Sequence, residues 1–484
     1  MAYQDPISDP SNSTWEAPPK QRRGCVFSAI AAVVAVAMLG TAVYGAMYAY
    51  RQWQASTAEP PAEPVLTDRS AAEETAADDA DAEAAVEETA VVPPEGAINR
   101  LVIVNEDNQI ETMAPDGSQR RALTDINANF QFPAWSPDGS SVAVVGTTRS
   151  GSSIYLLADE ENGDPDNPLQ IYRENNYNPF YLYWSPDGTR ISFLASHQRR
   201  GMTLNLIPAV VDGERQELLE GGPIYWQWTD GGQQLMLHAG FTGEGSRLTI
   251  VHPDQDVTEV ADIAPAGFFQ APGISHDGRY LAFAEVFDGE NSQLVIADTE
   301  SGARQEVRHA GLAAMSWSPT EDHLAYISGS PDSENFWGNL QLFDAETGDV
   351  RMLSQGLTVA FFWSPNGRYL ATISAPNSND DIIAEAMDPA WPSVPAAGSR
   401  LGKTLVQNGH NFKFTLSVID TMTGQGTRLT EFEPTFLFLS QLLPFFDQYA
   451  HSHHLWSPAS DALVLPMRED GRSFRYGINV ARKG

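Results

Sequence analysis

One phrase recurs through residues 98 to 484 and limits what this chain can fold into more than any other feature. It stands as FPAWSPDGSSVAVVG from Phe132, LYWSPDGTRISFLA from Leu182 and YWQWTDGGQQLMLHA from Tyr225. It returns as GISHDGRYLAFAEV from Gly273, MSWSPTEDHLAYIS from Met315, FFWSPNGRYLATIS from Phe361 and HLWSPASDALVLPM from His454. The equivalent positions are Trp135, Trp184, Trp228, Ile274, Trp317, Trp363 and Trp456, spaced by 49, 44, 46, 43, 46 and 93 residues. A fixed period means an array in which each unit buries its apolar face only against its neighbours.

The phrase makes physical sense as a β-hairpin. In Ser-Pro-Asp-Gly, Pro sets φ near −65° at the first central position, Asp hydrogen-bonds nearby amides, and Gly takes the left-handed position. A strand with period-two apolar residues follows, as in Ser141-Val-Ala-Val-Val145 or Arg190-Ile-Ser-Phe-Leu194. The preceding Trp is placed to wedge between neighbouring units. A second turn signal follows at Asp298-Thr-Glu-Ser-Gly302, Asp344-Ala-Glu-Thr-Gly348 and Asp420-Thr-Met-Thr-Gly424. Two hairpins make four strands, and four strands per period in the mid-forties is a β-propeller blade. The last, double-length interval is one period plus an insertion, or a lost repeat. Residues 101 to 124 read as late strands of a blade without its first hairpin. The C-terminus supplies an early hairpin from Leu455 to Met467 and a strand near Tyr476 to Ala481. Joining the two ends gives an all-β, seven-bladed β-propeller; counting them apart gives eight blades.

The W-S-P-D-G hairpins resemble those of the TolB-like propellers, relatives of the WD-type repeat proteins. The resemblance implies an interaction platform at the cell envelope. Four repeats depart from the full motif: Thr229-Asp230-Gly231-Gly232, Ser275-His276-Asp277-Gly278, Ser318-Pro319-Thr320-Glu321 and Ser457-Pro458-Ala459-Ser460. The chain also differs from TolB itself in having an apolar N-terminal segment and no evident N-terminal α/β domain.

Composition agrees with this class and removes others. Hydrophobic residues at 42% supply a core, and 38 Gly with 32 Pro supply the many turns of an all-β chain. A formal charge of −34 argues against nucleic acid as a partner, because phosphate binding runs on clustered Lys and Arg. The single cysteine, Cys25, rules out an intramolecular disulfide and any Cys-rich zinc or redox site.

Ahead of the repeats, residues 1–24 read as a cytoplasmic tail, 25–50 as a transmembrane helix and 51–97 as a disordered linker. Residues 25 to 50 carry no charge; as a helix they span about 39 Å, enough to cross a bilayer. Lys20, Arg22 and Arg23 precede them, so the positive-inside rule puts the N-terminus in the cytoplasm and the repeats outside. The long leader favours an uncleaved anchor over a signal peptide. Residues 54 to 97 hold twelve acidic residues against Arg69 and no aromatic, a composition that cannot bury enough to fold.

Two segments break the period, and departures from a repeat are where function is grafted. The first, 376 to 411, is a Pro- and Gly-rich insertion. The second, FLFLSQLLPFFDQYAHSHHLWSP from 436 to 458, contains Gln448, His451 and His453. Alternate residues of an extended chain point the same way, so His451 and His453 are placed to offer two imidazoles to one divalent metal ion. This stretch resembles that of the oligogalacturonate lyases, where Gln-x-x-His-x-His holds a metal. That resemblance implies a metal-dependent carbohydrate-active site of Gln448, His451 and His453, completed by a further His, for which His410, His238 and His276 are candidates, and by a catalytic Arg. No G-x-S-x-G elbow, Walker A or dinucleotide motif occurs in the chain. The leading expectation is a membrane-anchored, non-enzymatic platform for an envelope protein or peptide; the lyase-like metal site is the alternative.

Overall fold

In a computed structural model of the chain, the described residues are 99–161, 163–240, 247–254, 269–288, 291–309, 313–329, 338–375, 413–434, 438, 442–453, 455–468 and 474–479. The expected tail, membrane segment and linker, and the insertion 376–411, lie outside them. Among the described residues no helix is long and apolar enough to cross a membrane.

The architecture is all-β, built of consecutive antiparallel sheets. The first holds β1 Leu101–Val104, β2 Ile110–Met113 and β3 Arg121–Ala122. The second holds β4 Asn129–Trp135, β5 Ser141–Thr148, β6 Gly151–Ala158 and β7 Leu169–Tyr172. The third runs β8 Tyr177–Trp184, β9 Arg190–His197, β10 Gly201–Pro208 and β11 Gln216–Glu220. Next come β12 Ile224–Thr229, β13 Gln234–Ala239 and β14 Arg247–Val251, then β15 Gly273–Ile274, β16 Tyr280–Asp288, β17 Asn291–Asp298 and β18 Arg304–His309. The remaining strands are β19 Ala314–Trp317, β20 His323–Gly329, β21 Gly338–Asp344, β22 Val350–Trp363, β23 Tyr369–Ala375, β24 Phe414–Asp420, β25 Gly426–Pro434, β26 Leu463–Arg468 and β27 Phe474–Asn479.

These last nine strands form one hydrogen-bonded series because two strands each serve two sheets. The first half of β22 pairs with β21, ending one sheet, and its second half pairs with β23, opening the next. Likewise the end of β25, Glu433 and Pro434, turns from β24 to pair with β26. The chain then leaves this inner position and returns to it at Trp456, which bridges to Leu463. The sequence between is therefore inserted into the first strand of the last sheet.

The repeat phrase folds as its residues dictate. In the turn after Trp135, Gly139 N–H donates to the Ser136 carbonyl at 2.9 Å and Gly139 has φ +70°. Asp138 accepts from Ser136 Oγ at 2.5 Å and from Ser140 N–H at 3.1 Å. Ser136 Oγ in turn accepts the Ser141 N–H at 3.0 Å, which fixes the start of β5. Ser185, Ser275 and Ser364 repeat this role. In the divergent last repeat Ser460 takes the left-handed position at φ 60° in place of Gly.

Neighbouring sheets pack face on face all the way round. Ala134 and Val145 meet Trp184 and Phe193 of the next sheet, Leu194 and Leu204 meet Trp226 and Trp228, and Met236 and Leu248 cluster with Phe283 and with Phe343 of the sheet after it. Ile327 then packs with Phe361, Leu370 with Trp456 and Leu463, and Ala462 with Leu101, Ile103 and Met113 of the first sheet. Main-chain Ala459 N–H also donates to Asn99 Oδ1 at 3.1 Å across that junction. This succession of three- and four-stranded antiparallel units fits a propeller. Among the described residues β1–β3 and β26–β27 form separate ladders.

Of the six expected interleaved tryptophans, Trp184, Trp228, Trp317, Trp363 and Trp456 are buried and Trp135 is half-buried. The indole N–H of Trp184 donates to the Ala134 carbonyl and that of Trp363 to the Ser316 carbonyl, each at 3.0 Å. The acceptor is the residue just before the Trp of the preceding sheet. Trp135 follows the first sheet, whose described strands include no such inner strand, so this partner is missing among the described residues.

Candidate functional site

The inserted stretch before Trp456 folds locally through its prolines and aromatics. Pro444 begins a 3-10 turn, Leu443–Phe445, where a missing N–H costs nothing, and helix α1, Phe446–Ser452, follows. Asp447 lies in its first turn and His451 in its last. His453 is the extended C-cap, its N–H donating to the Tyr449 carbonyl at 2.8 Å.

Helix α1 packs against β8, β12, β19 and β22. Three of these open their sheets, and β22 opens one with its second half, so the helix sits where the inner strands converge. Phe446 lies edge-on to Phe361 and Phe362 at 5.5 and 6.3 Å between centroids. Tyr449 stacks on Phe132 at 5.7 Å and meets Tyr181 edge-on at 5.4 Å. The polar groups are aimed at the inner-strand backbone, whose axis-facing edge has no neighbouring strand among the described residues. Gln448 is 5% exposed, and its carboxamide forms a two-bond pair with Trp226: the Trp226 N–H donates to Oε1 at 2.8 Å, and Nε2 donates to the Trp226 carbonyl at 2.9 Å. This is the pairing a neighbouring strand would make.

A directed hydrogen-bond chain runs on from Gln448. Its Nε2 donates to Tyr181 OH at 3.1 Å, and Tyr181 OH contacts Ser452 Oγ. Ser452 Oγ meets His453 Nδ1 at 2.6 Å, and His453 Nε2 meets the Phe132 carbonyl at 3.2 Å. A carbonyl only accepts, so Nε2 carries the proton; for a neutral ring Nδ1 then accepts from Ser452. Phe132 is a non-glycine at φ 58°, at the bulge where the register of β4 against β5 shifts. Its carbonyl is therefore turned out of the ladder and toward His453.

Asp447 completes the arrangement at 2% exposure. Oδ2 accepts the Ala271 N–H at 3.1 Å and Oδ1 the Gln448 N–H at 2.8 Å. Burial raises its pKa to about 6, against the lowering effect of those two donors. Nearby, His238 is 2% exposed, stacks on Phe269 at 4.1 Å and places Nδ1 2.9 Å from the Gln270 carbonyl. Burial lowers its pKa to about 4.

The structure thus brings Gln448, His451 and His453 onto one short segment, but not with the extended geometry expected: the first two lie on a helix and only His453 is extended. Both amide atoms of Gln448 and both ring nitrogens of His453 have protein partners. Of the candidate further histidines, His410 lies outside the described residues. His276 is on the opposite kind of feature, an exposed turn, where it clusters with Asp277 and Asp322. Sequence reasoning passed over Asp447, Tyr181, Ser452 and Phe132. Only Asp447 had a signal, as an acid inside an aromatic-rich break in the repeat.

No known family model and no curated protein matches the sequence. Solved structures do. A putative TolB from Agrobacterium tumefaciens is 20% identical, covering 51% of this chain and 89% of that one at a TM-score of 0.35. TolB from Acinetobacter baumannii is 15% identical, covering 68% of this chain and 62% of that one at a TM-score of 0.35. A Mycobacterium tuberculosis puromycin-hydrolyzing peptidase is 15% identical, covering 58% and 50% at a TM-score of 0.40.

Proposed function

We propose that this chain is a membrane-anchored, extracytoplasmic β-propeller that binds an envelope protein or peptide and catalyses no reaction. The observation that supports this reading is the use to which the inserted segment is put. Gln448, His453 and Asp447, the polar residues where sequence looks for chemistry, hold α1 against the inner strands of neighbouring sheets. What remains for a partner is the outer faces of the round, above all the repeated acidic turns around Asp138, Asp187, Asp277 and Asp298. The uncharged run 25–50 and the acidic linker 51–97 supply the anchor and the reach. On the same reading the blade count is eight, because the two terminal sheets have separate ladders and pack against each other as neighbours.

The test is chemical cross-linking of the full-length chain in membranes, followed by purification. A partner recovered at fixed stoichiometry, and lost when the turn acids are reversed in charge, supports the platform. Turnover of an oligosaccharide by the same preparation, with no partner recovered, contradicts it.

A further inference from the structure

In each full sheet the first strand runs into the Ser-Pro-Asp-Gly type of turn, the second runs away from it and the third runs back, so the first and second turns lie side by side at one end. Main-chain bonds tie them together: Ala209 N–H donates to the Thr189 carbonyl, Thr299 N–H to that of Arg279 and Thr421 N–H to that of Arg368, each at 2.9 Å. Among the described residues the exposed large apolar side chains are Leu169, Val210, Val211, Val350, Met352 and Met422. All six belong to this end. Val210, Val211 and Met422 stand in second turns, and Leu169, Val350 and Met352 begin the outer strands that leave such turns. The Arg351 guanidinium meets the Thr421 and Met422 carbonyls, so the Val350–Met352 stretch of one sheet adjoins Met422 of the next. The same end is acidic. Arg190 is engaged with Asp254 at 2.8 Å, and Arg279 with Asp298 and Arg368 with Asp420 at 3.0 Å, while exposed Asp138, Asp187, Asp277, Glu346 and Asp349 add negative charge. The chain also enters here: Asn99 accepts from the Ala459 N–H of the last first turn, so the linker, with twelve acidic residues against Arg69, joins the sheets at this end.

We propose that the turn end is a docking face for a cationic protein segment that carries aliphatic side chains. This names the partner chemistry of the platform and rests on that reading. Aliphatic groups concentrated at one end leave water only against another apolar surface, and the carboxylates among them choose that surface by the sign of its charge. The charge also selects among occupants. An anionic lipid surface meets like charge at this end, and so does a second copy of the chain, which is formally −34. A cationic protein segment meets opposite charge from the turns and from the linker together.

Site-specific photo-crosslinking of the full-length chain in its native membrane tests this. A photoreactive amino acid is placed at Val211 or at Met422, and as a control at Gln198, which is exposed in the turn between β9 and β10 at the opposite end. Mass spectrometry then identifies what each has joined. The expected adduct at Val211 and Met422 is a protein segment of net positive charge with aliphatic residues, formed in about tenfold lower yield at Gln198. Glu346→Lys combined with Asp349→Lys, beside Val350, should lower the yield at Met422 about tenfold. Adducts with lipid, with a second copy of the chain or with an acidic segment overturn the proposal. So does a yield at Met422 that the two charge reversals leave unchanged. A partner joined only at Gln198 removes this surface and leaves the platform reading standing; no protein adduct at any of the three positions removes both.

Discussion

The indole N–H of Trp456 donates to the carbonyl of Phe362 at 3.0 Å, across 94 residues of sequence. Phe362 immediately precedes Trp363, so this is the same inter-sheet bond that joins Trp184 to Ala134 and Trp363 to Ser316. The sheets of Trp363 and Trp456 are therefore direct neighbours. The double-length interval between them is one period carrying insertions, and no repeat has been lost. One insertion, 376–412, separates β23 from β24, and the other carries α1.

Replacing one of these buried tryptophans should be costly in a way that divides into two parts. Trp456→Ala is expected to destabilise by about 3 to 5 kcal/mol through the lost area and residual cavity. Trp456→Phe retains much of the packing but leaves the Phe362 carbonyl unpaired, costing about 1 to 3 kcal/mol. Equilibrium denaturation of both variants checks the division.

The first sheet is clamped to the second by a buried charge cluster. Asp159, at the end of β6, meets Arg100 at 2.7 Å and Arg121 at 3.1 Å, with its side chain fully buried, and accepts from Thr112 at 2.9 Å. Asp159→Ala should cost about 3 to 5 kcal/mol, because it leaves the buried Arg100 cation uncompensated. The loss should be visible as early release of β1–β3 in limited proteolysis.

Removing the Gln448 carboxamide leaves two buried main-chain groups of Trp226 without partners. Gln448→Ala is expected to cost about 2 to 4 kcal/mol. Gln448→Glu should cost a similar amount, since a carboxylate can still accept from the N–H but faces the carbonyl with no donor. Denaturation midpoints of the two variants check this.

Two buried groups give opposite pH dependences over the same window. His238, lowered to about 4 by burial, contributes stability that is present above its unfolded value near 6.5 and lost as pH falls toward 4. Asp447, raised to about 6, works the other way: stability is gained as pH falls from 6 toward its unfolded value. Between pH 6 and pH 4 each changes stability by about 2 kcal/mol, so together they should leave wild-type stability nearly flat over that range. Asp447→Asn unmasks the histidine, and its stability should drop by about 2 kcal/mol from pH 6 to pH 4. Denaturant titrations at several pH values decide it.

What was legible in the sequence was what is local. The Ser-Pro-Asp-Gly turns, the Asp-to-Gly second turns and the strands after them each depend on residues within a few positions, and Trp135 to Trp456 marked the units. The count at the ends was not legible, because whether β1 and β27 share a ladder depends on pairing between the two ends of the chain. Nor was the seating of α1. Gln448 finds Trp226 222 residues away and His453 finds Phe132 321 residues away, and nothing in Tyr181 or Phe132 distinguishes them from ordinary strand residues. A Gln-x-x-His-x-His pattern reads as ligands on a strand, but Pro444 with Phe445 and Phe446 after it starts a helix instead.

On the proposed reading the Gln448–His453 segment fills the centre of the round and the molecule acts by binding, without metal chemistry. Elemental analysis of untagged full-length protein, with thermal unfolding measured with and without added Mn²⁺ or Zn²⁺, decides between this and the metal site. The expected result is no stoichiometric metal and an unfolding temperature unchanged by either ion. One equivalent of tightly bound metal that is lost in His451→Ala would contradict it and restore the carbohydrate-active alternative.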